Sequence, residues 1–200
     1  GGSDGGADFV VSGLGEVPAI LAEHFADVAE LTHYDKPEPT TEAARAAAAN
    51  DVDALRRLHA AGSLSDKCES GNTPLIWAAE RGNLEATEFL LSVASAEEAN
   101  SRGYLGATAV NRAARRGEHA VLRALLLDAR TRPSVDAHND KSQTPLHFAA
   151  FKRNPLCVRE LLIAGANTKV RDRKGRTPDE DTDVAEIREA IRSVRAGADP

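Results

Sequence analysis

The sequence predicts an all-α protein, a solenoid of short helix–turn–helix units stacked side by side. Three observations predict it. A Thr-x-x-x-x-Ala-Ala frame occurs three times, at Thr73, Thr108 and Thr144, in steps of 35 and 36 residues. Each copy carries a second apolar segment: Phe89-Leu90-Leu91, Leu125-Leu126 and Leu161-Leu162. The chain is 42% hydrophobic yet only 4% aromatic, and its many alanines suit short helices that pack closely.

The clearest copy is QTPLHFAAFKRNPLCVRELLIAGANT, residues 143–168. Thr144 is a good N-cap, and Pro145 follows at the first helical position, where a missing N–H costs nothing. Leu146, Ala149 and Ala150 recur at i, i+3, i+4 and give one apolar face. Pro155 opens a second helix, with Leu156, Val158, Leu161 and Leu162 as its expected buried side. Gly165 ends it at a position of positive φ. Such a unit cannot bury its apolar face alone and needs neighbours stacked on it.

Thr144-Pro145-Leu146-His147 with Ala149-Ala150, Leu161-Leu162 and Gly165-Ala166 resembles the ankyrin repeat, whose signature is Thr-Pro-Leu-His-x-Ala at a 33-residue period. The frame recurs upstream as Gly71-Asn72-Thr73-Pro74-Leu75-Ile76-Trp77-Ala78-Ala79 with Gly82. It recurs between the two as Gly106-Ala107-Thr108-Ala109-Val110-Asn111-Arg112-Ala113-Ala114 with Gly117. The resemblance implies an ankyrin-repeat solenoid with hairpin loops between helix pairs.

In chain order, residues 1–6 read as a flexible leader. Gly13-Leu14-Gly15 follows an apolar run, but Pro18 stands where a dinucleotide loop needs its third Gly, and no βαβ unit follows. A turn feeding a helix is the better reading. Residues 18–31 read as an amphipathic helix with Leu21, Phe25 and Val28 on one stripe, expected to dock on the first repeat as a cap. Residues 1–40 form this acidic arm and its Pro-rich linker. They hold eight acids and one base, a formal −7, whereas residues 41–200 hold 24 bases and 23 acids.

The repeats are expected at about 41–65, 66–98, 101–133 and 137–169, with a degenerate cap at 170–196. The first is fainter and has Asn50 at the turn. The residues beyond the 33-residue period fall in loops near 95–102 and 130–135, where Pro133 stops a helix. In the cap, Asp179-Glu180-Asp181 replaces the apolar face, as a polar solenoid end requires.

Chemistry is sparse. No His-Glu-x-x-His and no close Cys/His cluster is present, so no metal, cofactor or catalytic residue is assigned and the chain is read as non-enzymatic. Cys68 and Cys157 lie in different repeats, so no disulfide framework is indicated, and a reducing compartment, cytoplasm or nucleus, is expected. Cys157 is read as a structural thiol. His147 occupies the family position whose imidazole ties adjacent loops. No apolar run approaches the ~20 residues that cross a bilayer. The chain has no Met, from which a processed or excised piece of a longer protein is expected, monomeric on its own.

The resemblance also implies where a partner protein binds: the concave face, at the hairpin tips and the exposed residues ending each first helix. On this sequence the helix positions are Glu80, Arg81, Arg115, Arg116, Phe151 and Lys152. The tip positions are Glu69, Ser70, Asn72, Tyr104, Leu105, Ala107, Asp140, Lys141 and Gln143. Arg112 lies one helical turn from Arg115 and Arg116 and adds to a basic cluster. Trp77 and Phe148 read as either core or contact, and Arg153 stands where the family usually has Gly. The expected function is a protein-interaction module for an acidic or mixed acidic and apolar partner, with a solvated charged face as the plain alternative. A regulatory appendage of a larger enzyme or complex is the runner-up. Nucleic-acid binding through the Arg-rich repeats is disfavoured by the near-neutral domain and acidic arm.

Overall fold

The computed structural model describes residues 37–197. The arm and its capping helix at 18–31 lie outside the described residues. The chain then runs through four helix pairs: α1 (Glu42–Ala49) with α2 (Val52–Ala60), α3 (Pro74–Arg81) with α4 (Leu84–Val93), α6 (Ala109–Arg116) with α7 (His119–Leu127), and α8 (Pro145–Phe151) with α9 (Pro155–Ile163). A four-residue α5 (Ala96–Ala99) sits between the second and third pairs. A 3₁₀ turn at Pro178–Glu180 and α10 (Ala185–Arg195) complete the last unit. No strand occurs among the described residues.

First helices pack on first helices, α1 on α3 on α6 on α8. Second helices likewise pack in the order α2, α4, α7, α9, α10. One apolar core therefore runs through every unit between two helical layers. Ala78-Ala79, Ala113-Ala114 and Ala149-Ala150 are all buried at the closest approaches. Their small side chains let successive first helices pack tightly.

The helices start and stop where their local chemistry dictates. The hydroxyls of Thr41, Thr73 and Thr108 accept the amides of Ala44, Ile76 and Asn111, satisfying amides that have no partner within the helix. The first helices end in left-handed backbone at Asn50, Gly82, Gly117 and Arg153. Arg153 thus takes the conformation of the glycine it replaces.

The second helix of the fourth pair departs from expectation at one residue. Cys157, Val158, Leu161 and Leu162 are buried, but Leu156 is 55% exposed. At 100° per residue, Leu156 falls nearly opposite the centre of that inward set. Cys157 occupies the inward position instead.

Between pairs the chain folds into hairpins of one recurrent geometry. The amides of Cys68, Gly103, Asn139 and Asp172 each donate to the carbonyl four residues on, at 3.0, 2.9, 3.0 and 2.9 Å. The fourth residue of each turn is left-handed: Gly71, Gly106, Ser142 and Gly175. Neighbouring hairpins are joined by Tyr104 N–H to Asn72 Oδ1 (2.9 Å), Asp140 N–H to Leu105 O (3.1 Å) and Arg173 N–H to Lys141 O (3.0 Å).

His147 is fully buried and ties two units together, as the sequence suggested. Its Nδ1 accepts the Thr144 amide at 3.1 Å, and its Nε2 donates to Arg176 O at 3.1 Å. Asn111 does the same one repeat earlier, accepting the Thr108 amide (3.0 Å) and donating to Ala137 O (2.8 Å).

The two insertions brace each other. The Arg130 guanidinium donates to Leu91 O and Ala94 O, at the otherwise open end of α4, and Asn100 donates to Arg130 O. In the last unit the side chains of Asp179 and Asp181 turn inward while Glu180 stays exposed. The buried Asp179 carboxylate accepts from the Thr177 hydroxyl (2.7 Å), Arg192 Nε (2.8 Å) and Arg195 Nη2 (2.5 Å). Burial opposes its ionisation, but these donors outweigh burial and hold its pKa at about 2.

Three outcomes are expected. Leu146→Ala removes a fully buried side chain of the fourth pair and should destabilise by about 2–5 kcal/mol in urea unfolding. A loss under ~1 kcal/mol would contradict that burial. Ser142→Gly relieves a left-handed strain of about 1–2 kcal/mol while adding ~0.5–1 kcal/mol of backbone entropy to lose, so a net gain of about 0.5–1 kcal/mol should appear in the same assay. An unchanged or lower midpoint would count against it.

The third outcome concerns pH. Burial lowers the His147 pKa below its usual 6.5, so the unfolded chain takes up the proton first. Stability should decline as pH falls below about 6.5, and again between about 4 and 2 as Asp179 loses its charge. Burial pushes the Cys157 thiol up to about 12; the unfolded thiol ionises first, so stability should also decline above pH 9. Urea midpoints measured from pH 5 to 10 should show a maximum between these limits, and a flat profile from pH 7 to 5 would contradict the His147 contribution.

Candidate protein-binding face

The candidate face is built from the ends of α3, α6 and α8. Counting from each capping threonine, Glu80, Arg115 and Phe151 share one position, and Arg81, Arg116 and Lys152 share the next. Arg115 and Arg116 occupy the last turn of α6, where unsatisfied carbonyls and the negative end of the helix dipole favour cations.

Glu80 is the acid at the centre of this group. Its Oε2 lies 3.5 Å from Arg112 Nη1 and its Oε1 lies 3.7 Å from Arg116 Nε. Arg116 remains 51% exposed. The Lys152 ammonium stands 5.5 Å from the centre of the half-buried Phe151 ring. Its pKa is lowered first by desolvation and then by the charges of Arg115 and Arg116. These three cations therefore share one positive field. Arg153, beside them, forms a bidentate pair with Asp183 at 2.8 and 2.7 Å.

Five expected contact residues lie inside the protein instead. Trp77, Arg112 and Phe148 are equivalent in the three repeats and are 2%, 3% and 5% exposed. The reason is the hairpin, which folds back over this helical position. Trp77 Nε1 donates to Cys68 Sγ at 3.3 Å, and Arg112 Nη2 donates to Tyr104 O at 2.9 Å, each within its own hairpin. Arg112 is thus a buried tie between a helix and its loop, not part of an open basic patch. Asn72 is buried too, with its side-chain oxygen engaged by the Tyr104 amide, and so is the expected tip residue Ala107, whose carbonyl accepts the Gly103 amide that closes the hairpin.

The other expected positions stay within reach of solvent. Glu69, Arg81, Arg116 and Lys152 are exposed, and Glu80, Tyr104, Arg115, Lys141 and Phe151 are half-buried. Arg115, Arg116, Phe151 and Lys152 come together; Glu69, Tyr104 and Lys141 lie apart from them on the hairpin tips. The sequence reading passed over Asn111, although its spacing from Thr108 is that of a reciprocal cap. Among the described residues no three His, Cys, Asp or Glu side chains group as a metal site would require, and no helix is long and apolar enough to cross a membrane.

Comparison with known families and proteins agrees with this architecture. The family described as "Ankyrin repeats (3 copies)" matches residues 43–134, and "Ankyrin repeat" matches residues 141–173. Similar proteins include E3 ubiquitin-protein ligase XBAT33 of Arabidopsis thaliana, 36% identical over 91 residues, which are 46% of this chain and 17% of that protein. Probable E3 ubiquitin-protein ligase XBOS33 of Oryza sativa subsp. japonica is 37% identical over 91 residues, with the same shares. B-cell lymphoma 3 protein homolog of Mus musculus is 45% identical over 58 residues, 29% of this chain and 13% of that protein. The matched stretches are thus less than a fifth of each relative's length. Both family matches fall on the stacked pairs whose caps, hairpins and buried faces are described above, and the chain belongs to the ankyrin-repeat family, whose repeats are non-catalytic and generally serve protein–protein interaction.

Proposed function

We propose that the repeats bind an acidic segment of a partner protein on the face made by Glu80, Arg81, Arg115, Arg116, Phe151 and Lys152, flanked by the tips at Glu69, Tyr104 and Lys141. The observation that carries this reading is the placement of Arg115, Arg116 and Lys152 at the ends of adjacent first helices, where desolvation and then the charges of the two arginines disfavour the Lys152 ammonium. An acidic segment relieves that repulsion. The repeats hold these side chains on helix ends fixed by the core, so little ordering accompanies association. Phe151 supplies apolar contact area beside the charge.

A second reading is favoured by the relatives, which the matched stretches cover by 17% or less. Two of them are named as E3 ubiquitin-protein ligases. On that reading the same face recruits or regulates partners for a larger enzyme or complex.

Charge and fold separate cleanly at this face. Arg115→Glu with Arg116→Glu should abolish capture of acidic partners in an affinity pull-down, while changing stability by no more than about 0.5–1 kcal/mol. Arg112→Ala should instead lower stability by about 1.5–3 kcal/mol, because it removes a charged donor from Tyr104 O and leaves Glu80 half-buried beside a gap. Equal capture by the double mutant and the wild type would move the binding site elsewhere.

A further inference from the structure

We propose that the cavity between the first and second helix pairs takes one apolar side chain of a partner peptide, of leucine or phenylalanine size and followed by an acid. The cavity has a volume of about 140 Å³ and an apolar lining of Leu64, Leu75, Leu90, Val93 and Ala94. Leu64 comes from the connection between α2 and α3, Leu75 from the first turn of α3, and Leu90 and Val93 from the end of α4. Glu98 and Ser101 complete the wall, and both belong to the inserted stretch that a plain 33-residue repeat lacks. Hydrogen bonds hold this stretch in place. Glu98 Oε1 accepts the Ser65 hydroxyl at 2.5 Å, and its Oε2 accepts the Ser95 amide at 2.8 Å. Arg130 donates to Leu91 O and Ala94 O, and Asn100 donates to Arg130 O. The lining is therefore set before a ligand arrives, which lowers the ordering cost of binding.

Size selects the occupant. Pockets for free small molecules ordinarily run to about 300–1,000 Å³, well above this volume. An apolar cavity of about 150 Å³ accommodates a group the size of benzene, which is the size of one side chain. An apolar wall with nothing packed against it forgoes dispersion contacts, and an inserted side chain restores them. Charge selects the next residue. Both Glu98 oxygens are engaged, whereas Lys67, which also lines the cavity, is exposed and forms no ion pair or hydrogen bond among the described residues. Its ammonium favours an acid beside the apolar anchor. α3 starts at this cavity and ends at Glu80 and Arg81, so the cavity and the face proposed above lie at opposite ends of that helix. The inference does not rest on that reading.

The test is a methyl NMR titration of the full chain with the end-blocked peptide GGLEGG and its counterparts GGAEGG and GGLQGG. Shifts should centre on the methyls of Leu64, Leu75, Leu90 and Val93, and GGLEGG should bind at least ~10-fold more tightly than GGAEGG. GGLQGG should bind ~2–3-fold more weakly than GGLEGG, a difference lost in Lys67→Gln. Ala94→Leu fills the cavity and should weaken GGLEGG at least ~10-fold without lowering the thermal unfolding temperature. Ser101→Leu, which fills it from the inserted stretch, should do the same and keeps the test decisive if Ala94→Leu fails to fold. Equal binding of GGLEGG and GGAEGG, undiminished binding by the filled variants, or no methyl shift with any peptide would overturn the proposal. A preference for GGLEGG over GGLQGG that persists in Lys67→Gln would overturn the acidic neighbour. Benzene shifting these methyls where GGLEGG does not would assign the cavity to a free apolar molecule instead. Shifts that follow protein concentration alone would assign it to a second copy of the chain.

Discussion

No unit of this protein can hide its own apolar face, and everything else in the structure follows from that. Each helix is only seven to eleven residues long, apart from the four-residue α5, a length that is marginal in isolation in water. Each becomes stable when its neighbours cover it. The alanine pairs at the close approaches and the leucines and valines of the outer layer bury one another only across unit boundaries. A solenoid built in this way has stability that depends on nearest-neighbour interfaces.

Polar groups then set the register in which those interfaces form. A buried amide or carbonyl without a partner is destabilising, and the stack brings many of them indoors at the hairpins. Asn72, Asn111 and His147 each reach from one unit to the next or to the following loop, and each satisfies groups on both sides. Arg130 does this for the carbonyls at the end of α4. In the last described unit the Asp179–Arg192–Arg195 cluster replaces apolar contact with charge. The proposed binding face is what remains when this bonding is complete: cations on rigid helix ends, with Arg112 withdrawn into the interior.

Much of this was legible in the sequence because short-range chemistry decides it. The threonine caps, the prolines after Thr73 and Thr144, and the left-handed turn at Asn50 all follow from local backbone preference, as does the place of the insertions. Helical periodicity alone was insufficient at Leu156 and at the row of Trp77, Arg112 and Phe148. Leu156 sits in an apolar run, where several choices of face look alike, and Cys157 decides between them. The row lies at the edge of the first helix's inner face. Whether it is open depends on a hairpin that returns over it from earlier in the chain, and no helical period encodes that return. The same blindness made Arg112 look like part of the basic surface. Arg115, Arg116 and Lys152 could be read because they lie beyond the hairpin's reach, at helix ends.

The central claim is that one continuous core joins all the units, so that they stand or fall together. Cys68 lies buried in the second unit and Cys157 in the fourth, and Trp77, the one tryptophan of the chain, is buried beside Cys68. Pulsed alkylation across a urea gradient, with each cysteine resolved by peptide mass, reports the opening of both units at once, and Trp77 fluorescence follows the second. The account predicts one common midpoint for Cys68, Cys157 and Trp77. Labelling of Cys157 at a urea concentration where Cys68 and Trp77 remain protected, or the reverse, would contradict it.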